Sequence, residues 1–200
     1  MCKMRFLGCV LAILVLTVLS ASCRRSLCRQ PDQEEWSLLL TGDLVFCVGH
    51  SAQSSAVRLL SLSNNDGYSH VGFIVKTSDK AGVICHMSAD DKCITQESLD
   101  SYIQKSNVTK MSFYRLPSPI DTVRLKYVFD SMIAKNVPFD AGFNFSTDDK
   151  LYCTEFIIKV LRKADNHDMD GVDTTYHIYP NDLIRDAHLH LLYDITDSIR

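Results

Sequence analysis

The sequence predicts an α+β domain in which a small antiparallel sheet packs against several helices, and three observations carry that expectation. Short β-branched or continuous apolar runs crowd the first half, separated by turn residues. Apolar residues at helical spacing dominate the second half. With 200 residues, 46% of them apolar, the chain has material for one ordinary core.

The elements follow in order. Trp36 and Leu38–Leu40 form a small apolar patch, and Thr41-Gly42-Asp43 is a turn. Leu44–Val48 is a continuous apolar strand, followed by a capped helix start at Ser51–Ser54 with Ala56, Val57, Leu59 and Leu60 as its stripe. Asn64–Gly67 breaks the chain. His70–Val75 and Gly82–Met87 read as antiparallel neighbours joined by a longer polar loop, Lys76–Ala81. A helix is expected over Gln96–Gln104 and a strand over Lys110–Leu116. Ile120, Val123, Leu125, Val128, Phe129, Met132 and Ile133 recur at helical spacing and predict a helix over 119–135, which Pro138 ends. Tyr152–Lys163 is a second strong helix with Phe156, Ile157, Val160 and Leu161 inward. A short helix after Pro180 and an alternating strand, His188–Ile195, close the chain.

Composition narrows the function classes. The formal charge is −3 and no dense basic run occurs, so a nucleic-acid partner is not expected. Eight cysteines without a CxxC pair argue against a zinc ribbon. His188 and His190 share a strand face but lack a clear third ligand, so no metal and no cofactor is expected.

The N-terminus has the order of an export signal: Lys3 and Arg5, the apolar run Phe6–Leu19, then Ser20, Ala21 and Ser22. The run is shorter than the roughly 18–20 residues that span a bilayer core. Leu19-Ser20-Ala21-Ser22-Cys23 resembles a bacterial lipobox, with Cys23 as the lipidated residue and Ser20 where a large aliphatic residue is usual. Ordinary signal cleavage near Ala21–Ser22 stays open beside lipidation. The expected organisation is a signal over 1–22, a polar tether over 23–35 and one domain over 36–200, exported and held at the cell envelope by a lipid anchor.

Cys153 opens the helix 152–163, capped by Asp148 or Asp149, where the helix dipole favours a thiolate. A thiolate nucleophile works with an imidazole, which a third polar group orients. His70 and His86 sit on the two strands of the expected hairpin, placed to face each other across the ladder. A buried structural cysteine and two ordinary histidines are the competing reading of the same residues. Cys85 with Cys93 would make a disulfide if the strands allow it.

Four segments then stand in register: Gly42–Phe46, Ser51–Val57, Tyr68-Ser69-His70-Val71-Gly72 and Tyr152-Cys153-Thr154-Glu155-Phe156, with Phe139-Asp140 and Ser146–Asp149 ahead of the last. Over roughly residues 40–165 the chain resembles the YiiX/YaeF-type permuted papain-like hydrolases, relatives of the NlpC-type cell-wall peptidases. The resemblance implies a permuted papain-like fold, Cys153 as nucleophile and His70 as base. The third position falls on His86, and a slip of one residue would put Cys85 there. Asp43, Gln53, Ser54, Tyr68 and Tyr152 match pattern positions near the cleft, as substrate contacts or as fold residues. The implied activity is a cysteine amidase, with envelope peptides such as peptidoglycan stem peptides as substrates. The alternatives are a lipid acyl hydrolase or acyltransferase of the lecithin retinol acyltransferase type and a catalytically silent envelope-binding module.

Overall fold

The computed structural model describes residues 27–50, 52–60, 67–165 and 177–196. The signal, Cys23 and the break at Asn64–Asp66 lie outside the described residues. Six strands form one sheet: β1 (Leu44–Val48), β2 (His70–Ser78), β3 (Ala81–Ser88), β4 (Cys93–Ser98), β5 (Lys110–Arg115) and β6 (His190–Thr196). Their spatial order is β4-β3-β2-β1-β5-β6 and every pairing is antiparallel. β1 lies between β2 and β5, and its two faces join different clusters, Leu44, Phe46 and Val48 on one side and Val45 and Cys47 on the other, so all five of its residues are buried. That is why it reads as a continuous apolar run rather than an alternating one.

Helices cover both faces. Helix α1 is Gln33–Leu38, α2 is Ala52–Leu60, α3 is Leu99–Lys105, α4 is Thr122–Ala134, α5 is Cys153–Asp165 and α6 is Pro180–Asp186. Alternate residues of β2 serve opposite layers. Val71 and Phe73 join α4 and α5 in one cluster, where Phe73 lies 5.4 Å from Phe129 and 6.1 Å from Phe156. Ile74 joins Ile84, Trp36, Tyr102 and Ile103 in the other, under α1 and α3. Helices α4 and α5 bury the stripes expected of them: Leu125, Phe129 and Met132 on one, Phe156, Ile157, Val160 and Leu161 on the other. Asp121 caps α4 by accepting from the N–H groups of Val123 and Arg124, which starts the helix at Thr122 rather than 119.

Several expectations are corrected. The segment 96–98 is not helical. It belongs to β4, which pairs with β3 from Val83↔Ser98 to Ser88↔Cys93, and the helix starts only after Ser98, whose side chain caps it at Ser101 N–H. The hairpin is also tighter than expected, since β2 runs to Ser78 and β3 begins at Ala81. The polar tether does not extend to residue 35. Cys28 is buried and its N–H donates to the Val108 carbonyl at 2.7 Å, while Asp32 and Glu35 form a capping box that starts α1 and lets Trp36 bury against Gly82. In α2 only Val57 of the described stripe is buried, and Leu59 is 80% exposed. Cys85 and Cys93 are both free thiols: Cys85 is buried opposite Gln96, and Cys93 pairs with Ser88.

Candidate active site

Strand β1 and the start of β2 fix the first imidazole. Ser69 N–H donates to the Cys47 carbonyl at 2.9 Å, and its hydroxyl accepts from Gly49 N–H at 3.0 Å. This staple holds the end of β1 against the start of β2, directly before His70. Cys47 is the Cα partner of His70. On β3, Cys85 pairs with Phe73 in the layer under α4 and α5, so the pleat turns the next residue, His86, to the opposite face with His70. His70 Nε2 and His86 Nδ1 stand 3.0 Å apart, with the rings nearly perpendicular at 89°. His86 is 2% exposed.

Cys153 reaches the same place from α5. It is the first residue of the helix and is 5% exposed. Its thiol lies against the backbone N–H groups of Val71, Thr154 and Cys153. Val71 follows His70 in sequence, so the helix start and the strand start meet. Cys153, His70 and His86 line one cavity of about 50 Å³, together with Ser54, Val57, Tyr102, Phe139 and Phe143.

The segment before α5 shapes this cavity. Asp140 accepts from Gly142 N–H at 2.8 Å and Asn144 N–H at 2.6 Å, curling the chain so that Phe143 packs on Tyr152 at 5.3 Å. Neither Asp148 nor Asp149 caps α5. Asp148 pairs with Lys159 at 2.6 Å, and the carboxylate of Glu155 reaches back to Tyr152 N–H at 3.3 Å. Lys159 also pairs with Glu155 at 2.6 Å and donates to the Thr147 carbonyl, tying the incoming segment to the helix. Glu155 is fully buried, and that burial pushes its carboxyl upward against the pull of Lys159. Lys159→Met should therefore destabilise the protein by about 3–5 kcal/mol at pH 7, because it strands a buried carboxylate. The deficit in urea unfolding should shrink as pH falls, because protonation of the raised carboxyl relieves the stranded charge, and a pH-independent loss would contradict the assignment.

Electrostatics differ from the expectation drawn from helix position. Burial raises the Cys153 thiol, outweighing the nearby hydroxyl of Thr154 and the three amides that favour the thiolate. Burial also holds His70 well below its ordinary 6.5, and His86 lowers it further. Both shifts disfavour a charged thiolate–imidazolium pair, which in so closed a place lacks the water that would stabilise it.

The five sequence-matched contact positions separate. Ser54 lines the cavity. The side chain of Gln53 lies outside the described residues. Asp43 is at the opposite end of the sheet, where it accepts from Arg115 Nε at 2.8 Å and Nη2 at 2.7 Å beside a second cavity of about 450 Å³. Tyr68 is buried against Phe46, with its hydroxyl on Ser112 and Lys110 over its ring. Tyr152 is buried, and its hydroxyl accepts from Ile178 N–H at 3.2 Å. These three hold the fold and do not line the Cys153 cavity; a match to a sequence pattern does not separate cleft from core.

One side chain at the site was absent from the sequence reading. Glu97 on β4 lies 3.0 Å from His86 Nε2, and its other oxygen accepts from Ser101 Oγ at 3.0 Å. Its carboxyl is held below the usual range, chiefly by the hydrogen bond with His86. Tyr102 on α3 packs on both imidazoles, with centroids 5.6 Å from His70 and 5.0 Å from His86. No apolar alternation marks the strand that carries Glu97, and Gln96–Gln104 reads as helix, so the sequence hid it. Among the described residues no three His, Cys, Asp or Glu side chains converge as a metal centre.

Known proteins resemble the chain in sequence and fold. A family model described as permuted papain-like amidase enzyme, YaeF/YiiX, C92 family, matches residues 39–193. YiiX of Escherichia coli strain K12 is 27% identical over 127 residues, 62% of this chain and 58% of that protein, so the chain spans less than two thirds of that relative. The crystal structure of the metalloprotein YiiX from Escherichia coli O157:H7 superposes with a TM-score of 0.58 at 18% identity, covering 76% of this chain and 96% of that one. The likeness establishes the fold, with both histidines on early strands and the cysteine on a later helix.

Proposed function

The chain belongs to the permuted papain-like amidase family of YaeF and YiiX, and from that premise we propose that it is a cysteine hydrolase of amide bonds, with Cys153 as nucleophile and His70 as base. The observation that carries the proposal is the cavity where the start of α5 meets the start of β2, which places the thiol, His70 and His86 together. His70 accepts the thiol proton as Sγ bonds to the carbonyl carbon, and the carbonyl π pair moves onto oxygen. The first-turn N–H groups of α5 have no carbonyl partner within the helix and are placed to bind that oxygen. Collapse expels the amine, which takes the proton from His70. Water, deprotonated by the same imidazole, then attacks the thioester; collapse breaks the C–S bond, frees the acid, and returns the proton from His70 to the Cys153 sulfur.

The substrate class is an envelope peptide, and peptidoglycan stem peptides fit best, because the N-terminal sequence is that of an exported chain. We assign Cys23 as the lipid anchor. An alkynyl fatty acid should label the wild type and spare Cys23→Ala, and equal labelling would end the anchor assignment. The function itself is tested by mass spectrometry of muropeptides and phospholipids incubated with wild type and Cys153→Ser. New termini in the peptides with wild type only are expected. Deacylated lipid with intact peptides would instead establish the acyl hydrolase reading, and no product from either would favour a silent binding module.

A further inference from the structure

We propose that Glu97 is a positioning residue that sets the proton direction of the chain Glu97–His86–His70, so that both imidazoles carry their proton on Nε2 and His70 keeps Nδ1 as a base. The proposal draws its consequence for turnover from the Cys153–His70 reading above, but the tautomers themselves can be read without any turnover.

The hydrogen bond between the two rings is ambiguous in direction. Two neutral imidazoles joined Nε2 to Nδ1 at 3.0 Å can share their hydrogen bond in either direction. In one pattern His70 Nε2–H donates to His86 Nδ1, His86 is protonated on Nε2, and His70 Nδ1 is a lone pair. In the other, His86 Nδ1–H donates to His70 Nε2, and the single proton of His70 moves to Nδ1. The second pattern has no base for a thiol. Nothing within the histidine pair chooses between them.

Glu97 supplies the choice. Its Oε1 stands 3.0 Å from His86 Nε2, and an ionised carboxylate only accepts. The second pattern would set two acceptors against each other across that distance in a buried place, leaving both unsatisfied. The first places a charge-assisted hydrogen bond there instead. The carboxylate is also held in position. Ser101 Oγ occupies its other oxygen, and Ser98, the next residue, caps α3. Tyr102 from the same helix lies against both rings and restricts their rotation. One junction, from β4 into α3, thus provides the acceptor, its anchor and the packing surface.

The test is two-bond ¹H–¹⁵N correlation spectroscopy of the full chain labelled at histidine, recorded near pH 7.5, with assignment by His70→Gln and His86→Gln. In the wild type both His70 and His86 should show protonated Nε2 and unprotonated Nδ1. Glu97→Gln is close to isosteric, and its amide can turn an N–H toward His86. This variant should move both histidines toward Nδ1–H and lower turnover by about 10- to 10,000-fold, the upper end being what an inverted tautomer costs in other triads. An unchanged melting profile separates this result from misfolding, and Glu97→Asp should retain more of the wild-type tautomer than Glu97→Gln. His70 protonated on Nδ1 in the wild type, a doubly protonated His86, or tautomers unaltered by Glu97→Gln would each overturn the proposal. If Glu97→Gln inverts the tautomers and turnover does not change, the positioning role stands and the Cys153–His70 chemistry is what fails.

Discussion

Cys153→Ser should abolish turnover, with a loss of about 1000-fold or more, while the fold persists. Serine preserves the size of the side chain and the contact with Val71 N–H, so the start of α5 is not disturbed. The hydroxyl is a far weaker acid than the thiol, and the cavity is too closed to stabilise the alkoxide. His70 would have to remove a proton from a much more reluctant donor at the same moment as attack. Circular dichroism and thermal melting of the variant should overlay those of the wild type. Residual turnover above a tenth of wild type would place the nucleophile elsewhere. Cys47 is then the next thiol to examine, since it is the Cα partner of His70 on the adjacent strand.

His70→Ala should cost about 100- to 10,000-fold in kcat, the range of a positioned general base. The pH profile is the finer readout. His70 is held below its ordinary 6.5 by burial and by His86, so its neutral form persists as pH falls through 6.5 and is lost only lower. The acid limb of kcat/KM should therefore have its midpoint below pH 6.5, and His70→Ala should remove that limb. On the alkaline side the raised thiol keeps its proton, so the neutral pair remains through mildly alkaline pH. An acid limb centred above 6.5 would mean that His70 is solvated or paired with an anion in the working enzyme.

Much of this site could be read before any coordinates, and the reasons are specific. Helix α5 announces itself because Phe156, Ile157, Val160 and Leu161 form one inward face, and that face fixes Cys153 at the helix start. Strand β1 announces itself because burial on both sides demands an unbroken apolar run. The choice of His86 over Cys85 depended on a register set by pairing between β2 and β3, which a two-residue period alone leaves open by one position. Glu97 was hidden for a tertiary reason: Thr95-Gln96-Glu97-Ser98 has no strand-like apolar alternation and becomes a strand because β3 offers an edge. The helix dipole at Cys153 is visible in a sequence, while the burial that opposes it is not. Asp43 was misplaced because motif order says nothing about which end of a strand faces the cleft; Leu44–Phe46 separates it from Cys47, the partner of His70. The Lys159–Glu155 pair, four residues apart on one helix, was legible and overlooked.

The account's central claim is that His70 activates Cys153, and the most direct measurement is the rate of iodoacetamide alkylation at each cysteine, followed by peptide mass spectrometry at pH 7.5. Cys93 is the internal reference, a more exposed free thiol that does not line the Cys153 cavity. The Cys153 rate, measured relative to Cys93 in the same sample, should fall by about tenfold or more in His70→Ala, because the base that takes the thiol proton is gone, while Cys93 itself does not change. A Cys153 rate indifferent to the loss of His70 would contradict the account.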